Sequence, residues 1–396
     1  MNVSKENKIF TAQFIIVILM ALSLFLSVMF LTSGIPANIT ATTGNAFIGG
    51  MMTTFFMIAA IITRPIIGYI IKKVNVKSLN IMTIIILSIL IFSLSITNSI
   101  ALMLFIRVLQ GICFGILSTS MATMATNVIP AKRMGEGIGY YGMATSGGTS
   151  FAPMIALSIL QAFSYKALIL TSTALAIATL VLTLLSSNNK KEKRSDVTSD
   201  VIEKISFTEY AFDLRALLPC IIVLFFSFTL GGVTSFLKPL GKEAGIEATI
   251  SLFFLVESIV LLISKAASGI IYDRLGHKVI MYPAAICGII GLYLLSIVDS
   301  TTILLVAAVF YGIAYGFLTP TLQTVAVSRV DKKKHGTANA MYLSFMDLGM
   351  AMGSPILGIV AGAQGYRVIY SISIIFIVVL ILLYAFTIGH KKSAQL

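Results

Sequence analysis

Arg107, Glu257 and Asp347 each interrupt a long run of apolar residues. A charge at bilayer depth costs at least about 2.5 kcal/mol unless a partner or a water-filled cavity relieves it, so ionisable groups in such runs point to function. Two carboxylates and one guanidinium offer a definite chemistry, reversible binding of a proton or of a charged ligand. Burial disfavours an ionised carboxylate, which lets Glu257 or Asp347 hold a proton near neutral pH, whereas a nearby arginine opposes protonation. A cation and a proton that compete for one carboxylate exchange with each other.

The elements that carry these groups follow from the apolar pattern. The 396-residue chain is 58% hydrophobic and only 11% charged, with no Trp, and its mean hydropathy is +1.00. A water-soluble domain cannot hide that much apolar surface. Runs long enough to cross a hydrocarbon core of about 30 Å as helix recur at 11–33, 46–71, 79–96, 100–126, 137–160, 166–186, 214–237, 249–271, 279–297, 301–326, 336–361 and 367–388. Lipid offers the backbone no hydrogen-bond partners, so the twelve spans are expected to be helices in an all-α membrane protein. The lipid bilayer is then the principal partner. Asp347 falls about eleven residues into its span, near mid-membrane, and Glu257 about eight residues from one end of the eighth span.

The net charge of +13 raises the possibility of nucleic acid, and its placement argues against that. Of the 28 Lys and Arg, all but Arg64, Arg107, Lys265, Lys166, Lys238, Lys242 and Arg367 fall in alternate segments outside the spans or, for Arg215, at the very start of a span on that same side. That asymmetry is the positive-inside pattern and predicts both termini in the cytoplasm, with the chain multi-pass in the plasma membrane. Lys332, Lys333 and Lys334 then serve topology, and no nucleic acid is expected. The first span follows basic residues but exceeds a signal-peptide core and lacks an A-x-A site, so it is expected to stay as a span. Cys113, Cys220 and Cys287 lie within spans without ligand spacing, which argues against disulfides and metal.

Compared with itself at an offset of 201 residues, the chain places Arg64 on Lys265, Gly68 on Gly269, Lys77 on Lys278, Gly111 on Gly312, Gly115 on Gly316, Gly135 on Gly336 and Gly148 on Gly349. One ungapped register predicts a duplicated six-span unit, residues 1–186 and 214–396, joined by a cytoplasmic linker at 187–213. Within that linker, Val201, Ile205, Phe207 and Ala211, with Leu214, fit either a short amphipathic helix on the membrane face or a solvated tether.

Three stretches carry a family resemblance. "GIIYDRLGHK" (Gly269 to Lys278) resembles the loop motif G-x-x-x-D-R-x-G-R-K of the major facilitator superfamily, with His277 at the first of the two closing basic positions. Its first-half copy, "GYIIKKVNVK", keeps Gly68 and Lys77 but has Lys72 in place of the Asp. "RVLQGICFG" resembles the fourth-helix motif R-x-x-q-G through Arg107, Gln110 and Gly111. "GYYGMATSGGTSFAP" resembles the fifth-helix motif of the drug:proton antiporter branch through Gly139, Gly148 and Pro153, while Ala152, Ala156 and Leu157 replace glycines.

The resemblance implies two six-helix bundles and a proton-coupled exporter of small amphipathic compounds or drugs. It also implies a proton-linked role for Arg107, a conformational latch at Gly269, Asp273, Arg274, Gly276 and Lys278, and a hinge at Gly139, Gly148, Ala152 and Pro153. In such a latch, glycine permits close helix approach, the Asp caps and pairs, and the basic residues hold the loop at the anionic leaflet. Small residues in the fifth helix equally suit plain helix packing.

The repeat sharpens the choice of residues. Arg64 and Lys265 are equivalents near the cytoplasmic ends of their spans and are expected to be structural and to snorkel. Arg107, Glu257 and Asp347 fall instead on Ala308, Phe56 and Ser146, so a symmetric scaffold does not require them. Tyr140, Tyr311, Tyr315, Phe228, Gln110, Gln323 and Asn339 are suited to line a cavity or simply to pack.

No Walker A, G-x-S-x-G or H-E-x-x-H pattern occurs, so neither an enzyme nor a cofactor is expected, and an ion gradient is the natural energy source. Twelve spans can form a self-sufficient monomer. Two transport readings stay open: proton-coupled export of amphipathic compounds, and transport of one endogenous metabolite such as a sugar or an opine-like chelator, with Arg107 on an anionic group. A transport-dead sensor would call for a signalling domain or a large docking surface, and the sequence shows neither.

Overall fold

The computed structural model describes residues 9–43, 46–71, 74–186 and 212–389. Twelve long apolar helices occupy the expected places: α1 (Ala12–Thr43), α2 (Ala46–Ile70), α3 (Val76–Ser93), α4 (Ile100–Val128), α5 (Met134–Ala162), α6 (Tyr165–Leu185), α7 (Leu214–Glu243), α8 (Ile250–Leu275), α9 (Lys278–Ser296), α10 (Thr301–Ser328), α11 (His335–Gln364) and α12 (Tyr366–Thr387). No strand occurs among the described residues. The chain is a multi-pass, all-helical membrane protein.

Where the helices depart from the apolar runs, local hydrogen bonding explains it. α1 continues to Thr43, well past the apolar run that ends near residue 33. Its hydroxyls bond back along the helix, Thr32 to the Val28 carbonyl and Thr42 to the Asn38 carbonyl, each at 3.0 Å, so polar residues do not end it. α3 begins three residues before the expected 79 because the Asn75 side chain accepts from the Lys77 and Ser78 amides as an N-cap. The tether or amphipathic helix considered for 187–211 lies outside the described residues.

Packing divides the described chain into two compact units. The first comprises Met1–Ile129, Gly147–Asp213 and Lys332–Ala340; the second comprises Pro130–Ser146, Leu214–Asp331 and Met341–Leu396. Two helices, α5 and α11, are therefore shared.

In the first unit α2 packs on α4, α1 on α6, and α3 on both α4 and α6. Phe56, Phe114, Leu24 and Met121 are buried at its centre. In the second unit α8 packs on α10, α9 on both α10 and α12, and α7 on α12. Exposed residues such as Ile62, Met82, Ile359 and Phe386 point outward, where lipid takes the place of a partner.

Small residues set the closest approaches in both units, and at equivalent places. A Cβ on Gly115 would lie 2.9 Å from the Ala60 carbonyl oxygen, and one on Gly316 would lie 2.8 Å from that of Leu261, the residue 201 positions after Ala60. Gly111 likewise abuts the Phe56 carbonyl and Gly312 the Glu257 carbonyl. The α2–α4 and α8–α10 seams are thus one contact built twice, as lipid-embedded helices favour when glycine lets their backbones meet.

Candidate functional site

Four residues of the first unit form a column. The Arg107 guanidinium lies 4.3 Å from the centre of the Phe56 ring, Phe56 lies 5.4 Å from Phe114, and the Arg64 guanidinium lies 6.0 Å from Phe114. Arg107 is fully buried on α4. Its Nε donates to the Met52 carbonyl at 3.0 Å, and its two terminal nitrogens donate to Gln110 Oε1 at 3.1 Å and Thr32 Oγ1 at 3.2 Å. Gln110 is oriented in turn by donating to the Leu90 carbonyl at 3.2 Å. Arg107 forms no salt bridge among the described residues; carbonyl, amide, hydroxyl and ring dipoles solvate its charge.

The equivalent column in the second unit has different chemistry. Lys265 on α8 is only 7% exposed. Its ammonium donates to Ser146 Oγ of α5 at 2.6 Å and stands 5.2 Å from the centre of the Tyr315 ring on α10. Tyr315 lies within electrostatic reach of both Glu257 and Asp347, and Glu257 faces Lys265 electrostatically. Glu257 accepts no hydrogen bond from any described residue. Tyr311 closes the group, its hydroxyl 2.8 Å from Thr229 Oγ1 and its ring 5.9 Å from Phe226.

The structure therefore places Glu257 and Asp347 with Lys265 and Tyr315 on α8, α10 and α11 of one unit. Arg107, Gln110 and Gly111 form a separate group on α4 of the other. The snorkelling expected of Arg64 and Lys265 is not found: both are buried, because each charge is taken up by an aromatic face inside the bundle, and for Lys265 also by a hydroxyl. Lys265 joins this group although the repeat marks it as scaffold. The offset of 201 places Tyr315 on Phe114, but the approach of Lys265 to Tyr315 is visible only in three dimensions.

Asp273, near the C-terminus of α8, accepts from the backbone amides of Gly135 at 2.9 Å and Glu136 at 2.7 Å, both in the first turn of α5. It caps a helix that is not its own, where the unpaired amides and the helix dipole favour an anion. Gly269 makes this possible, since a Cβ there would collide with the Gly135 backbone. Gly276 ends α8 at φ +80°, a left-handed conformation that disfavours other residues, and donates to the Tyr272 carbonyl. Arg274 is exposed and Lys278 partly so. His277, at one of the motif's closing basic positions, is buried, its Nδ1 hydrogen-bonded with the Tyr384 hydroxyl and its ring edge-on to Tyr384. Lys72, the first-half counterpart of Asp273, lies outside the described residues.

The fifth-helix residues fall on both sides of a unit boundary. Gly139 packs against the Lys265 carbonyl of the second unit. Gly148 packs against Phe25 in the first unit, which also contains Ala152 and Pro153. Ala152 is fully buried, and Pro153 lies exposed inside the helix. Of the suggested cavity residues, Phe228 stacks on Phe376 at 4.0 Å and Asn339 donates to Thr126 at 3.2 Å, which accounts for both as packing.

The family model for the Major Facilitator Superfamily matches residues 17–354 and 289–396. The chain belongs to the major facilitator superfamily. This transporter is similar to a staphylopine export protein of Staphylococcus aureus, 21% identical over 354 residues, covering 84% of this chain and 85% of the relative. It is also similar to the multidrug resistance protein MdtG of Escherichia fergusonii, 24% identical over 282 residues, covering 68% and 67%. Its fold matches the human organic anion transporter MFSD10, with a TM-score of 0.75 and 14% identity over 94% of this chain and 98% of that one. It also matches the major facilitator FucP, with a TM-score of 0.75 and 16% identity over 96% and 99%.

Proposed function

We propose that this major facilitator is a proton-coupled exporter, an antiporter of small amphipathic compounds that works by alternating access in the plasma membrane, with both termini in the cytoplasm. The observation that carries the reading is Lys265 standing 5.2 Å from the Tyr315 ring, with the carboxylates Glu257 and Asp347 within electrostatic reach of that tyrosine. Such an aromatic face accepts an apolar cation, and the carboxylates accept either that cation or a proton. The similarity to MdtG supports drug-like cargo. The six-helix halves 1–186 and 214–396, joined by 187–213, are the moving bodies in this reading. The contacts of Gly269 and Asp273 with α5 form the latch, and Gly139, Gly148, Ala152 and Pro153 form the hinge. Arg107 belongs to the coupling machinery as a fixed positive charge, and the protein works as a monomer.

A specific observation also favours a second reading. The relative matched over 84% of this chain is a staphylopine export protein, which suits export of one endogenous metabolite such as an opine-like chelator.

The test is substrate-driven proton movement in vesicles that contain the protein and a pH-sensitive dye, with tetraphenylphosphonium as the lipophilic cation and an amino-carboxylate chelator as the polar alternative. Proton release on adding tetraphenylphosphonium, reduced at least about tenfold in Glu257→Gln or Asp347→Asn, supports the first reading. A response to the chelator alone supports the second. Proton flux that is unchanged in both variants sinks the carboxylate mechanism and moves attention to Arg107.

A further inference from the structure

We propose that the end of the second unit opposite Asp273 holds a phospholipid headgroup, with the Lys238 and Lys242 ammonium groups on its phosphate and the Glu247 carboxylate on an amine beyond it. Binding is read without transport, so the exchange reading above is not needed for it.

A cavity of about 690 Å³ is lined there by Lys238, Pro239, Lys242, Glu243, Glu247 and Tyr366. All six fall just outside the apolar runs, one of which ends at 237 while the next begin at 249 and 367. They therefore stand at headgroup depth and not in the hydrocarbon. The charge pattern of the chain predicts that this side faces outward, where basic residues are disfavoured. Of the 28 Lys and Arg only Lys166, Lys238, Lys242 and Arg367 lie on it, and the last three gather here. Topology does not ask for them, so a local role must.

The frame around the cavity is fixed. α7 ends in a Schellman motif, in which the Ile246 amide donates to the Gly241 carbonyl at 2.8 Å and the Gly245 amide to that of Lys242 at 3.3 Å, with Gly245 at φ +74°. Glu243 ties this end to α12: one oxygen accepts from the Tyr366 amide at 3.0 Å and the other lies 3.9 Å from Arg367 Nε. The Tyr366 ring leans on Phe236, with centres 6.1 Å apart. The turn at Glu247–Thr249 is pinned to α10 by the Thr301 hydroxyl, which donates to Thr249 Oγ1 at 3.2 Å.

This bonding uses Glu243 and Arg367 and leaves three charges over. Lys238 and Lys242, one helical turn apart on α7, make no salt bridge among the described residues, and neither does Glu247. Two neighbouring cations suit a phosphate. The carboxylate on the same cavity disfavours a purely anionic head and favours one that carries an amine, while Pro239 and the Tyr366 ring give an apolar glycerol backbone a wall. Exposed ion pairs are weak, so a dilute soluble phosphate would scarcely fill the site. A lipid is already concentrated at this depth and need only be preferred over its neighbours. Each basic side chain at a membrane surface favours an acidic group about fivefold, and the pair about thirtyfold.

The experiment is lipid titration of the full-length protein in detergent, followed by native mass spectrometry, with phosphatidylethanolamine, phosphatidylglycerol and diacylglycerol of identical acyl chains. Wild type is expected to hold one phosphatidylethanolamine more tightly than phosphatidylglycerol, and at least about tenfold more tightly than diacylglycerol. The double variant Lys238→Gln, Lys242→Gln should lose about thirtyfold, whereas Lys238→Arg, Lys242→Arg should keep the binding. Lys166→Gln, outside the cavity, should bind as wild type does, and Glu247→Gln should lose the preference for the amine. All these side chains are exposed, so the variants leave the core untouched. Equal retention of diacylglycerol, an unchanged affinity in the double glutamine variant, or an equal loss in Lys166→Gln overturns the site. An undiminished amine preference in Glu247→Gln overturns the role of Glu247. Displacement of the lipid by an equal concentration of free phosphoethanolamine overturns the lipid and assigns the cavity to a soluble phosphate compound.

Discussion

The Lys265 ammonium lies 5.2 Å from the centre of the Tyr315 ring, and the pair is the repeat image of Arg64 on Phe114 at 6.0 Å. Following the same register outward, Phe56 corresponds to Glu257 and Arg107 to Ala308. The first unit therefore stacks cation, ring, ring, cation, and is rich in fixed positive charge. The second stacks cation, ring, carboxylate, and has given up the outer arginine for an alanine. One duplicated framework holds two different electrostatic devices. Only the second offers a carboxylate that accepts no hydrogen bond from the described residues, and a group with that freedom can exchange protons and ligands.

The framework itself is testable through its glycines. A Cβ on Gly111 would run into the Phe56 carbonyl, whereas one on Gly50 in the same bundle meets nothing within 4 Å. Gly111→Ala is expected to destabilise the protein by about 1–3 kcal/mol through overpacking. Gly312→Ala, whose Cβ would lie 2.9 Å from the Glu257 carbonyl, is expected to act in the same direction. Gly50→Ala should be neutral. Thermal unfolding in detergent reads all three; equal midpoints for Gly111→Ala and Gly50→Ala would refute the close seam.

The helices and their number were legible because twelve apolar runs leave lipid-spanning helix as the natural solution. The repeat was legible because glycines that permit backbone contact cannot be exchanged for larger residues without cost. The site was only half legible. Glu257 and Asp347 stand out as charges that break the repeat, but Lys265, which obeys the repeat, reads as scaffold. Its surroundings are made by Ser146 and Tyr315, which reach it from α5 and α10, and no spacing along one helix reports such contacts. The depth of Arg107 was readable; its solvation by a carbonyl, an amide and a hydroxyl from three other positions was not.

Asp273 provides a test at the other end of α8. Its two oxygens each accept one first-turn amide of α5, so Asp273→Ala should lose a cap worth about 0.5–2 kcal/mol. Asp273→Asn, which keeps one acceptor oxygen, should fall between. Hydrogen exchange followed on a peptide covering residues 134–139 should accelerate in that order, with transport slowed alongside. Exchange as slow in Asp273→Ala as in wild type would remove Asp273 from the latch.

His277 makes stability depend on pH with a definite sign. Burial, and then the positive charges of Lys278 and Arg329, disfavour the imidazolium and push its pKa down from 6.5 to about 4. The Nδ1 atom is engaged with the Tyr384 hydroxyl, and Nε2 is buried with no partner among the described residues, so a second proton would find no acceptor there. Between these two pH values the unfolded chain binds a proton that the folded chain refuses. Stability is therefore full above about pH 6.5 and is lost progressively as pH falls towards 4. Carboxylates also titrate in the lower part of that range, so the comparison must be made with a variant. The difference in unfolding midpoint between pH 7.5 and pH 5 should be smaller in His277→Gln than in wild type. Parallel midpoint curves for the two proteins would mean that the imidazole takes up its proton in the folded state as readily as in the unfolded one, and that its burial against Tyr384 does not exclude charge.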